Sequence, residues 1–135
     1  MKPLAAPYDA EQLALEILTP RLANRGETCQ ARTDVPTGWT PSDEDAVAQV
    51  ALDGTPTVQA PVLWVAVLRV TIHAKSRTES KRLAVLCQAL LVAYEGDYRV
   101  GAITPGIGPN VATDPVNNAE LAFITVQPHL RGLPL

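Results

Sequence analysis

Residues 62–74 constrain the fold of this chain more than any other stretch. Every even position there is apolar: Val62, Trp64, Ala66, Leu68, Val70, Ile72 and Ala74. The odd positions change character partway. Leu63, Val65 and Val67 are apolar, whereas Arg69, Thr71, His73 and Lys75 are polar. Strand side chains alternate between faces, so the spacing predicts one long strand whose even face is core along its whole length. The odd face is solvated only in its second half. Its apolar first half needs a second cover, and in a chain of 135 residues a neighbouring subunit can supply one. Ser76 and Glu79 follow at once as an S-x-x-E capping box. Leu83, Leu86, Cys87, Leu90, Leu91 and Tyr94 then form a helical apolar stripe. Arg77, Lys81, Arg82 and Gln88 lie on or near its solvated side, and Gly96 closes it at a C′ position.

The flanking segments complete a small domain. Residues 1–7 hold two prolines and read as an N-terminal arm. Asp9 and Gln12 fit an N-cap and capping box before Leu13, Ile17, Leu18 and Leu22 at helical spacing, with Gly26 closing the segment. Pro20 lacks an N–H and predicts a kink or break. Residues 28–35 read as a short strand and residues 36–45 as a loop. Residues 46–52 read as a strand with Ala46, Ala48, Val50 and Leu52 on one face. Asp53-Gly54 signals a turn that residues 55–60 lengthen. After the second helix come a strand over 98–104, a long loop over 105–118 and a strand over 120–127. Pro128 opens a C-terminal tail over 129–135. The order α-β-β-β-α-β-β predicts one α+β domain over residues 1–135. It consists of a mostly antiparallel sheet of about five strands with two helices on one face. The other face is left to water or to a partner.

Composition narrows the classes of function. The chain is 47% hydrophobic but only 4% aromatic, so its core is built from Val, Leu, Ile and Ala. A net charge of −3 with scattered Lys and Arg argues against a nucleic-acid binder. Cys29 and Cys87 have no CxxC spacing and no His at ligand distance in sequence, which favours free buried thiols. No charged region followed by an apolar run opens the chain, so no signal peptide is expected. No apolar run reaches the roughly 20 residues of a membrane helix. The expectation is a soluble protein made in the cytosol.

Residues able to carry chemistry are present without a constellation. His73 and His129 have no orienting partner nearby and read as surface or interface histidines. Asp43-Glu44-Asp45 offers hard oxygens for a divalent ion but lacks EF-hand spacing, so a solvated loop fits better. A third reading has Asp43, Glu44 and Asp45 meet Lys75, Arg77, Lys81 and Arg82 of the next copy in a ring. Gly101, Gly106 and Gly108 lack the Lys-Ser or Lys-Thr of a phosphate loop, and loop flexibility accounts for them. Ser42, Ser76 and Ser80 sit in no nucleophile elbow. Trp39, on a loop between two prolines, is the one exposed-looking large aromatic, and it reads either as an interface anchor or as a residue folded back on the core. No catalytic residue, cofactor or metal site is assigned.

The layout resembles the tail terminator proteins of long, non-contractile-tailed phages, especially those of actinobacterial hosts, from about Tyr8 to Gly132. The resemblance rests on four stretches. The first helix carries Ile17-Leu18-Thr19-Pro20-Arg21-Leu22, and a short strand ends in Pro as Ala31-Arg32-Thr33-Asp34-Val35-Pro36. Arg69-Val70-Thr71-Ile72-His73-Ala74-Lys75 runs into the helix from Ser76 to Tyr94, and the last strand ends in Arg131-Gly132. The resemblance implies a structural virion protein of the tail neck with no enzymatic activity. Such proteins form a six-fold ring on the head-proximal end of the tail tube, stop its growth, and dock it to head connector or stopper proteins. DNA passes through the bore without specific binding, and a mildly negative ring suits that passage.

On this reading Leu63, Val65 and Val67 lie at the subunit contact. Trp39, Thr55, Pro56 and Thr57 lie on ring-face loops. Other neck or tail components, a head–tail stopper or a tube subunit, share the layout. A small cytosolic ligand-binding α+β module is a further alternative, which needs a concave pocket with convergent polar groups. An enzyme would need a base and a nucleophile brought together from residues that show no motif.

Overall fold

The computed structural model describes residues 4–42, 44–54 and 63–135. Its elements are β1 (Ala5–Pro7), α1 (Ala10–Asn24), β2 (Gln30–Arg32), β3 (Val47–Gly54), β4 (Leu63–Val65), β5 (Val67–Ala74), α2 (Arg77–Val92), β6 (Val100–Pro105), β7 (Asn110–Thr113) and β8 (Glu120–Pro134). The fold is α+β, with two helices and a mixed, curled sheet of eight strands among the described residues. The expected five-strand order is therefore only part of the arrangement. The pair β2–β3 is parallel, and every other pair is antiparallel.

β8 is the hub. Along one edge it pairs with β5 and then β4, and along the other with β7, β6 and β1 in turn. The segment expected to be a tail is thus the end of a strand, and residues 5–7 of the expected arm pair with residues 132–134. Strand β1 and the end of β8 are thus neighbours. Residues 105–118, expected as one loop, contain β7. Gly106 and Gly108 lie between β6 and β7, where backbone presses on backbone. A Cβ on Gly106 would sit 2.1 Å from Thr125 Oγ1, and one on Gly108 would sit 2.5 Å from the Phe123 carbonyl oxygen. Close approach rather than flexibility requires these glycines.

The long alternating strand is present, with one interruption at Ala66. Its even side chains Trp64, Ala66, Leu68, Val70, Ile72 and Ala74 are all buried. They share one core with Leu13, Ile17, Leu18 and Leu22 of α1 and with Leu83, Cys87 and Leu91 of α2. Both helices therefore cover the even face. Leu52, expected on that face of β3, is 43% exposed near the strand's end, past the buried Ala48 and Val50.

The helix caps follow the sequence in part. Asp9 accepts from the N–H groups of Glu11 and Gln12 at 3.0 and 3.1 Å, and Ser76 accepts from Glu79 N–H at 3.2 Å. Neither capping box is completed in return. The Gln12 side chain donates to Glu16, and Glu79 accepts from Arg82. α1 runs unbroken through Pro20, which lies on its solvent face with Thr19. Water can serve the carbonyl that Pro20 leaves without a donor, so the break does not occur. α2 ends at Val92 with Ala93 as its C-cap, short of Gly96.

Candidate functional site

The face of the sheet away from the helices is the candidate site. It carries the odd positions of β5 and their register partners on β3 and β8. The face changes character along its length, as the odd positions of the sequence do.

At one end, Val47, His73 and Leu121 stand side by side in register. Trp39 folds onto them. It is 6% exposed and packs with Val47 and Ala119, against partly buried Val35 and Leu121. Its indole N–H donates to the Asp45 carbonyl at 2.9 Å, and its ring meets His73 edge-on with centroids 6.0 Å apart. Trp39 is thus a satellite-core residue: the exposed reading is corrected, and the fold back onto the core is the arrangement found, with an apolar seat and a carbonyl partner for the indole. His73, expected at the surface or at an interface, is also buried within the chain. Burial pushes its imidazole below the ordinary range, against the opposing effect of Asp114.

The middle of the face is polar. Arg69 reaches Asp53 at 2.9 Å and lies over the Phe123 ring, 5.1 Å from its centroid. The alternation of residues 120–127 expects Leu121 and Phe123 on the face opposite Ala122, Ile124 and Val126, and that is where they stand.

The far end carries Leu63, Val65 and Val67, all half-buried. Leu63 stands opposite Arg131, Val65 opposite His129, and Val67 opposite Gly54. His129 is half-buried, with its Nε2 3.3 Å from Thr104 Oγ1. This end has no counterpart of Trp39 among the described residues. Thr55, Pro56 and Thr57, expected on a ring-face loop, lie outside the described residues, as does Asp43.

The charged residues expected to meet across a subunit contact are placed as follows. Glu44, Asp45 and Lys75 line one cleft of about 320 Å³ within a single copy, together with Glu27, Cys29 and Glu79. Arg82 forms a fork with Glu27 at 2.7 and 3.0 Å and also reaches Glu79 at 2.6 and 3.1 Å. Glu27 and then Glu79 hold the guanidinium above its ordinary value, and Arg82 in turn holds both carboxyls below theirs. Arg82 is thus engaged inside its own chain. Arg77 and Lys81 are exposed. Gln88, expected on the solvated side, donates to the Thr125 carbonyl at 3.1 Å and ties α2 to β8.

The remaining polar and thiol groups serve the fold. Cys29 and Cys87 are free and buried, and burial pushes the Cys29 thiol up to about 12 and raises Cys87 as well. Neither is a thiolate near neutral pH. The Ser80 hydroxyl donates to the Glu120 carbonyl at 2.5 Å. Among the described residues, no group of three or more His, Cys, Asp and Glu side chains is placed to hold a metal ion, and no helix is long and apolar enough to cross a membrane. No protein-family model and no curated protein matches the chain.

Proposed function

We propose that this chain is a tail terminator of a long, non-contractile-tailed phage. Six copies form a ring in the virion neck that sits on the head-proximal end of the tail tube, stops tube growth and docks to the head connector. The protein acts by assembly and catalyses nothing. DNA passes through the bore, held off by like charge, since each copy is formally −3.

One observation supports the assembly reading most. Both helices cover the even face of the sheet, and Trp39 covers one end of the odd face. Leu63, Val65 and Val67 occupy the other end of that face, in phase with one another. These half-buried aliphatic side chains are apolar surface that a neighbouring copy can finish burying. A heterologous contact through this surface, repeated by rotation, closes into a ring.

The test is tube growth. Tail tube protein polymerises with and without this chain, and the products are measured by electron microscopy. A terminator gives short tubes with one blunt, capped end at substoichiometric ratios. A tube subunit gives long tubes by itself, and a stopper leaves tube length unchanged; either result overturns the proposal.

A further inference from the structure

His73 carries the one buried side-chain nitrogen or oxygen among the described residues that lacks a hydrogen-bond partner, its Nδ1. The other ring nitrogen, Nε2, lies 3.0 Å from Gln49 Oε1. With Gln49 as acceptor, neutral His73 keeps its proton on Nε2, and Nδ1 is a bare lone pair. The indole N–H of Trp39 cannot serve that lone pair, because it donates to the Asp45 carbonyl. A neutral imidazole tolerates this seat. An imidazolium does not, since it adds a second N–H with no acceptor and a charge shut away from water.

The surroundings offer little compensation. β3 presents Val47 and Gln49, β8 presents Leu121, and the loop over residues 35–45 presents Trp39. The carboxylate acting on His73 is Asp114, beyond β7, which favours the charged form but is outweighed by burial. Asp45 in the loop has an exposed side chain, and Glu120 lies next to Leu121 on β8. Arg69, on the odd face of the same strand, and Lys75, just past its end, are cationic. Among the described residues, hydrogen bonds within the loop include Trp39 N–H to the Pro36 carbonyl, Glu44 N–H to the Thr40 carbonyl, and the indole to Asp45.

We propose that His73 is an acid-sensitive latch for the Trp39 loop. In its neutral form it seats the indole on the odd face of the sheet. Once protonated it ejects the indole, uncovering Val47 and Leu121 beside the polar middle of that face. The closed form binds the proton less readily than the open form. Closure is therefore undisturbed above the ordinary histidine value of 6.5 and weakens progressively as pH falls from there toward the lowered value of the closed form.

The experiment uses Trp64→Phe protein, which leaves Trp39 as the sole tryptophan. Its emission is followed from about pH 8 to pH 4.5, with far-UV circular dichroism in parallel and the His73 imidazole titrated by NMR. A reversible red shift of Trp39, coincident with His73 protonation at unchanged circular dichroism and absent in His73→Gln, is the expected result. The indole N–H resonance of Trp39 in the unmodified protein reports the same event should either variant fold poorly. Three results overturn the latch. One is constant Trp39 signals while His73 titrates, and another is the same red shift in His73→Gln. The third is a His73 that stays neutral until the whole protein unfolds.

Discussion

Ala66 donates its backbone N–H to the Pro128 carbonyl at 3.0 Å and receives no bond in return, because Pro128 has no N–H. The pairing on either side keeps a single register, from Leu63 against Arg131 through Val65 against His129 to Leu68 against Val126. The missing bond divides β4 from β5 without shifting the strand. Leu63, Val65 and Val67 therefore keep the same face as Arg69 and Thr71, and a one-residue slip that would turn them into the core does not happen.

That phase makes Val65 the test of the subunit contact. Val65→Asp should leave the melting temperature within a few degrees, because the side chain is only half-buried, while removing higher oligomers in sedimentation velocity. A buried, unpaired carboxylate at a contact costs several kcal/mol, enough to disperse a ring. A variant that assembles like the parent would place the contact elsewhere.

Ser76→Ala should lower stability by about 1 kcal/mol in urea unfolding, the usual worth of a lost N-cap, since Ser76 satisfies the Glu79 N–H. Ser80→Ala should cost at least as much, about 1–3 kcal/mol, because Ser80 is fully buried and its loss strips the Glu120 carbonyl of a donor. A Ser80 variant as stable as the parent would show that this bond between α2 and β8 contributes nothing.

Gly106→Ala should destabilise by about 1–3 kcal/mol, the usual range for an over-packed site. The added methyl would fall 2.8 Å from the Thr125 carbonyl oxygen as well as on its hydroxyl, so strand β8 itself must move. Thermal melts of Gly106→Ala and Gly101→Ala make the comparison. At Gly101 the nearest atom is 3.6 Å away, on the end of the Arg131 side chain, and the change should be near neutral.

Asp97 sets part of the acid limb of stability. Burial works to raise its carboxyl, but bonds from Arg99, from the Tyr94 hydroxyl at 2.5 Å and from the N–H groups of Arg99 and Val100 outweigh burial and hold it well below the ordinary 3.8. The lowered folded value means that its contribution is complete above pH 3.8 and is lost as pH falls below it. Asp97→Asn should be less stable than the parent at pH 7, and the gap should narrow toward pH 2–3 in urea titrations. A gap independent of pH would mean that the carboxylate charge plays no part.

The sequence made some of this legible. The alternation (seen from residue 63 to 74 among the described residues), the Ser76 cap and the stripe through Leu83, Cys87 and Leu91 are local regularities, and each survives in the fold. What it hid depends on distant partners. β1 and β7 have three and four residues, with no period of their own, and become strands only because β8 offers an edge. Pro128 read as a stop, yet it costs the strand only the bond toward Ala66. The choice between an exposed Trp39 and one folded back on the core is not legible in the sequence, because its seat on Val47 and its partner carbonyl at Asp45 emerge only once the loop closes. The odd-face apolar end was legible from Leu63, Val65 and Val67 alone. Its neighbour His129 was not, since residues 129–135 read as a tail.

Assembly is the central claim, and native mass spectrometry over a wide concentration range, with and without short tail tubes, tests it most directly. The account predicts a hexamer, or a discrete ring that forms only at tube ends. A monomer at every concentration that ignores the tubes would contradict it.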